Sequence, residues 1–165
     1  MSKIFPRPSL RLLRNPVHFL SLGFGSGLFP VAPGTAGTLV AIPIYFLLAG
    51  LDIYIYLGLT LLMFGIGVYL CGETSHALGV EDHPAIVWDE IVGYLITMIA
   101  VPAKLEWVLA GFLLFRLFDI LKPWPIRVLD RSIKGGMGIM LDDVLAGIFA
   151  ALVLHFLLIP FVTGA

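Results

Sequence analysis

The segment GIMLDDVLAGIFAALVLHFLLIPFVTGA, residues 138–165, places two adjacent aspartates, Asp142 and Asp143, at the mouth of a long apolar run. Beyond them there is no formal charge to the end of the sequence, and His155 is the only ionisable side chain. At about 1.5 Å per residue, a helix over 144–162 is long enough to cross a hydrocarbon core about 30 Å thick. Carboxylates beside such a run are costly to desolvate. Either they cap the helix, as Asp does at an N-cap, or they hold something positive.

The rest of the chain repeats the pattern. It is 59% hydrophobic and 13% charged over 165 residues, about half the charge of an ordinary soluble domain. An integral membrane protein is expected, organised as a single domain over 1–165. Further apolar stretches cover 38–51, 53–71, 91–102 and 107–118. Of these, 53–71 has comfortable spanning length. The stretches 91–102 and 107–118 reach it by extending into neighbouring residues, and 38–51 stands between a span and a re-entrant segment. Open sheets cannot satisfy their edges in lipid. The fold class is therefore all-α, a small multi-pass membrane helical bundle with helix-breaking Gly/Pro loops on the cytoplasmic side. Residues 1–22 form a basic amphipathic segment suited to an anionic membrane surface rather than a cleavable signal, and 144–162 is the last transmembrane helix. The single cysteine, Cys71, excludes an internal disulfide framework and any multi-cysteine metal site.

Five spans with the N-terminus inside put 1–37, 72–90 and 119–143 on one side of the membrane. With Arg116 at the inner end of its helix, that side holds nine of the ten Lys and Arg residues, all but Lys104. This positive-inside bias places these loops in the cytoplasm. The acids sort the same way: nine of the eleven, all but Asp52 and Glu106, fall inside. The Lys/Arg rule does not account for that. A site on the cytoplasmic face is the simplest cause.

Four stretches carry the chemistry. GFGSGLFPVAPGTAGT, 23–38, is a glycine-rich turn whose backbone N–H groups can converge on an anion near Gly34 and Thr35. No Lys follows the glycines, so it is not a Walker loop, and a plain helix-breaking turn is the alternative. HPAIVWDEIVGY, 83–94, sets Asp89 and Glu90 about 100° apart on a helix. If that helix begins at Pro84 the acids sit inside it; otherwise they merely favour its first turn. FRLFDILKPWPIRVLDR, 115–131, spaces Arg116, Asp119 and Lys122 along one helical face, which Pro123 and Pro125 then stop. Arg127 and Arg131 follow, and a helix-end ion pair with snorkelling side chains is the bland alternative.

KGGMGIMLDDVLAG, 134–147, brings Asp142 and Asp143 after three glycines. Capping explains one acid there. It does not explain paired or clustered acids recurring on one side of a membrane. Asp89, Glu90, Asp119, Asp142 and Asp143 offer the oxygen ligands of a hard cation such as Mg2+. Arg116, Lys122, Arg127 and Arg131 offer donors to a phosphate. Together they describe metal-assisted phosphate chemistry. Weaker signals are Glu73 and His76, with Glu-x-x-His spacing but no second copy, and His83, read as a surface loop residue. Trp88, Trp107 and Trp124 sit at expected span ends, the aromatic-belt position.

GFGSGLFPVAPGTAGTL, VWDEIVGY, FRLFDILKPWPIR and GGMGIMLDDVLAG, in this order, resemble the bacterial phosphatidylglycerophosphatase A family over about 15–151. The resemblance implies a Mg2+-dependent lipid phosphatase of the bacterial inner membrane, multi-pass, with its active site facing the cytoplasm. Its reaction would convert phosphatidylglycerophosphate to phosphatidylglycerol and inorganic phosphate. The implied partner is the phospholipid substrate in the membrane; nucleic acid is not expected, and no obligatory protein partner is implied. The metal would be held by some of Asp89, Glu90, Asp119, Asp142 and Asp143, with Asp89, Glu90, Asp119 and Asp143 catalytic. Arg116, Lys122, Arg127, Arg131, Gly34 and Thr35 would hold the phosphate.

Whether a carboxylate acts as general base or an aspartyl-phosphate forms is open at this point. Other phosphatase chemistries fit poorly: Cys71 has Ala77 rather than Arg six residues on, and neither Asp-x-Asp nor Ser-Gly-His is present. The competing class is a membrane cation transporter or channel component with a carboxylate-lined ion site. Its acids would be spread along a path, whereas these gather at one face beside cations.

Overall fold

The computed structural model describes residues 8–163, without the side chains of 129–131, 161 and 163. Residues 1–7 of the expected basic segment lie outside it. Among the described residues every regular element is helical, as the all-α expectation requires. In chain order the α-helices are α1 (Pro16–Ser21), α2 (Pro33–Leu48), α3 (Ile53–Leu78), α4 (Trp88–Thr97), α5 (Leu105–Leu121), α6 (Ile126–Ser132), α7 (Gly135–Val153) and α8 (Ile159–Thr163). Short 3-10 turns cover Leu10–Arg14 and Gly23–Leu28, and a π-turn, Leu154–Leu158, joins α7 to α8.

α3 and the run Gly135–Leu158 are long and apolar enough to cross a membrane. The outer side of α3 carries Tyr54, Leu61, Leu62 and Tyr69, all exposed. A helix that is apolar on its open side as well as its packed side suits lipid better than water. The chain is membrane-associated.

α4 is the hub. Eight of its ten residues are buried, and it packs on α7, α2, α3 and α5. At about 15 Å it is too short to cross a bilayer, which corrects the expectation of a span over 91–102. The cause is local: after Thr97 the chain runs into successive tight turns, with Met98, Ile99 and Val101 N–H groups bonded three or four residues back, and Ala100 takes φ 56°. Tyrosines serve carbonyls at this end. Tyr56 Oη donates to Leu95 O at 2.7 Å and Tyr45 Oη to Val101 O at 2.8 Å. These bonds supply partners for the carbonyls that a helix end leaves unpaired.

The start of α4 also differs from expectation. It begins at Trp88, not at Pro84. Ala85 and Ile86 N–H groups are taken by His83, through Nδ1 at 3.1 Å and the carbonyl at 2.9 Å, and Val87 N–H by Ser21 O of α1 at 3.0 Å. With those donors committed, 83–87 is held as a turn docked on α1, and His83 is buried rather than a surface residue. Trp88 and Trp107 are likewise buried, and Trp88 Nε1 donates to Met63 O at 3.0 Å. Of the three tryptophans only Trp124 is exposed, so an aromatic belt does not account for the other two.

The crossing of α4 over α7 is a backbone contact. A Cβ on Gly93 would stand 2.8 Å from Asp143 O and 2.6 Å from the Phe115 ring, and one on Gly147 would run into Gly93 O. Glycine is what lets the two helix axes approach this closely. Gly93 lies about one turn after Asp89 and Glu90, and Gly147 one turn after Asp143. The crossing therefore sets the acids of the two helices face to face.

Candidate active site

Asp89 and Glu90 occupy the first turn of α4, which favours acids through the unpaired N–H groups there. That is not their whole role, because Asp89 is 7% exposed and faces inward. Asp142 and Asp143 are not caps. α7 starts at Gly135 with Lys134 in the N-cap position, so both aspartates stand two turns inside the helix, and both are buried. This answers the question posed by the pair. Carboxylates buried there need charged or hydrogen-bonding partners.

One oxygen from each of Asp89, Glu90 and Asp143 lies within 4.8 Å of the others. Around this triad is a cavity of about 310 Å³ whose walls include Gly34, Asp82, Arg116, Asp119, Lys122 and Asp142. Arg116 of α5 pairs with Asp119 at 2.5 Å and with Glu90 at 3.7 Å. Lys122 follows α5 in the left-handed conformation, φ 40°, as the helix stops, and pairs with Asp142. The helix does not persist to the i+6 position as the spacing supposed. The αL turn still delivers Lys122 to the same cavity.

Gly34 sits in the first turn of α2, and a Cβ there would collide with Glu90 Oε1 and stand 3.0 Å from an Arg116 guanidinium nitrogen. Its lack of a side chain lets the N-terminal end of a sixteen-residue helix close one wall of the cavity. Such an end carries unpaired N–H groups and a positive partial charge, a natural anion site. Thr35 is not part of the wall, and Thr38 spends its hydroxyl on Gly34 O at 2.8 Å.

The remaining expected residues fall elsewhere. Arg127 lines a neighbouring cavity with Lys122 in common, and the side chain of Arg131 lies outside the described residues. Glu73 and His76 are exposed on α3, away from the cavity. Asp82, which belongs to the wall, was not singled out in the sequence; its only signal was being an acid on the crowded side, just before the HPAIVWDE stretch.

The donor set suits a divalent cation bound through oxygen. Three carboxylates converge, with Asp89 Oδ1 and Glu90 Oε2 buried and without hydrogen-bond partners among the described residues. Buried polar atoms are seldom left so. Hard cations such as Mg2+ take oxygen ligands of this kind, and the residues present fit one.

A family model described as phosphatidylglycerophosphatase A matches residues 19–158. The chain is 50% identical over 146 residues to the phosphatidylglycerophosphatase A of Escherichia coli (strain K12), covering 88% of this chain and 85% of that protein. It is 49% identical over 158 residues to the protein of the same name from Haemophilus influenzae, covering 93% and 94%. A putative phosphatidylinositol-3-phosphatase of Bacteroides thetaiotaomicron is 42% identical over 139 residues, covering 79% and 86%. No solved structure matches. Matched by that family model from before the glycine turn to the last apolar helix, and sharing about half its aligned residues with two bacterial members, this chain belongs to the phosphatidylglycerophosphatase A family and is a phosphatase.

Proposed function

We propose that the chain is a Mg2+-dependent phosphatidylglycerophosphatase of the bacterial inner membrane, multi-pass, with its site open to the cytoplasm. It would release inorganic phosphate from the terminal monoester of phosphatidylglycerophosphate and leave phosphatidylglycerol. The observation that carries this is the Asp89–Glu90–Asp143 triad facing Arg116 and the start of α2 in one cavity. The family's name supports the lipid. The meeting of Arg116 and Lys122 in one cavity, with Arg127 in the cavity beside it, gathers cations at one face and supports the cytoplasmic orientation.

Asp89, Glu90 and Asp143 would hold the metal, which when bound supplies charge neutralisation on the phosphate and a more acidic water. Arg116, kept in place by Asp119 and Glu90, offers planar donors that match phosphate oxygens. The N–H groups at the start of α2 receive developing negative charge with little reorganisation. Lys122, held by Asp142, adds a second cation to the lining of the cavity. Asp119 and Asp142 thus act through the cations they hold, as positioning residues.

The test is phosphate release from phosphatidylglycerophosphate in detergent, with Mg2+ and with excess chelator, for wild type and Asp143→Asn. Release that needs Mg2+ and falls by about a thousandfold in the folded variant is expected, in line with loss of transition-state charge stabilisation. Wild-type protein that releases no phosphate with Mg2+ present would refute the lipid assignment. Undiminished release by the variant would remove Asp143 from the site.

A further inference from the structure

Arg127 does not enter the acidic cavity. It lines a second one, about 640 Å³, with Lys122, Pro123, Trp124, Val128 and Ser132. The charge of the two cavities is opposite in kind. The first has six carboxylates, Asp82, Asp89, Glu90, Asp119, Asp142 and Asp143, against two cations, Arg116 and Lys122. The second has Lys122 and Arg127 and no carboxylate among the described residues that line it. Lys122 belongs to both and forms their common wall.

That wall is stiff. Lys122 is held by Asp142 and followed by Pro123 and Pro125, each of which fixes its own φ. Arg127 is exposed, and its Nη2 donates to Leu121 O at 3.3 Å, which keeps the guanidinium against the end of α5. A guanidinium has five N–H donors and an ammonium three. The bond to Leu121 O therefore does not exhaust the Arg127 guanidinium.

We propose that the second cavity receives the phosphodiester of the lipid while the acidic cavity receives its terminal monoester. The proposal rests on phosphatidylglycerophosphate being the substrate, since that lipid carries both phosphates. A diester anion that is not to be cleaved gains nothing from six carboxylates and is repelled by them; the second cavity offers it Lys122 and Arg127, with no carboxylate among the described residues that line it. Arg127 then becomes a specificity-determining residue. It favours lipids with a second phosphate behind the one that is hydrolysed, and Lys122 sets the register between the two.

The experiment uses the full chain in mixed detergent micelles with Mg2+, measuring phosphate release from phosphatidylglycerophosphate and its inhibition by two probes. Phosphatidylglycerol carries only the diester, and inorganic phosphate stands in for the monoester. In Arg127→Gln the inhibition constant for phosphatidylglycerol is expected to rise about tenfold, the size of one lost charge-assisted hydrogen bond. That for inorganic phosphate stays within twofold, and Arg127→Lys falls between. An unchanged constant for phosphatidylglycerol, equal rises for both probes, or no inhibition of wild type by phosphatidylglycerol each overturns the assignment while leaving the phosphatase reading intact. Absence of phosphate release by wild type instead overturns the substrate on which the proposal rests.

Discussion

Replacing Gly93 by Ala tests whether the α4–α7 crossing makes the site. The added Cβ would lie 2.8 Å from Asp143 O and 2.6 Å from Phe115 Cε2, where ordinary contact begins at 3.4 Å. Relief requires a shift of about 0.6 to 0.8 Å. The carbonyl cannot yield without moving α7, and Phe115 is fully buried. Such overpacking costs about 1–3 kcal/mol. Its larger expected effect is on chemistry, because the shift separates Asp89 and Glu90 from Asp143, whose oxygens lie within 4.8 Å of one another. Misplacement on the order of 1 Å lowers rates by about a hundredfold.

Gly58→Ala on α3 is the control, since nothing lies within 4 Å of the Cβ it would add. That substitution should keep activity and raise stability by up to about 1 kcal/mol through helix propensity. The assay is phosphate release in detergent together with thermal melting, with and without Mg2+. If Gly93→Ala keeps wild-type turnover and melting temperature, the backbone crossing does not set the carboxylates and the reasoning fails.

Gly34→Ala should lower phosphate release by about ten- to a hundredfold, with a smaller change in melting temperature. Its Cβ would displace Glu90 Oε1 and crowd the Arg116 guanidinium, while the backbone there is ordinary helix; unaltered kinetics would exclude that wall from the site. Adding Mg2+ at about a hundredfold over its dissociation constant should stabilise the folded protein by about 2.7 kcal/mol, read as a rise in melting temperature that Asp143→Asn abolishes. A rise of equal size in that variant would place the ion elsewhere. Tyr56→Phe removes the donor to Leu95 O and should cost about 1 kcal/mol of stability. Turnover per folded molecule should not change, because this bond lies at the end of α4 away from the acids; a large drop in turnover would show that the two ends are coupled.

What was legible in the sequence divides along a physical line. The all-helical class follows from the apolar composition, because a chain of that kind must satisfy its backbone internally. The acids and bases were also identifiable, since a charged residue beside an apolar run has to have a reason. Helix ends were less so. The start of α4 depends on Ser21 O taking the Val87 N–H from α1, and its end on turns whose carbonyls reach Tyr45 and Tyr56 on α2 and α3. Partners distant in sequence decide those boundaries, so periodicity over 83–102 could not. Lys122 met Asp142 through an αL turn rather than through continued helix. A spacing rule for helices reached the right cavity by the wrong path.

Taken alone, the sequence determined that the chain belongs with lipid, and that carboxylates and cations suited to a metal and a phosphate are among its charges. Composition and local spacing carry that information because solvation and backbone pairing act on every residue individually. Only the tertiary structure decided which acids meet. It brings Asp89 and Glu90 to Asp143, pairs Asp119 and Asp142 with cations, adds Asp82 to the wall and sends Arg127 to a separate cavity. That selection depends on how closely two helices cross, which is set at Gly93 and Gly147 by the absence of a side chain on each.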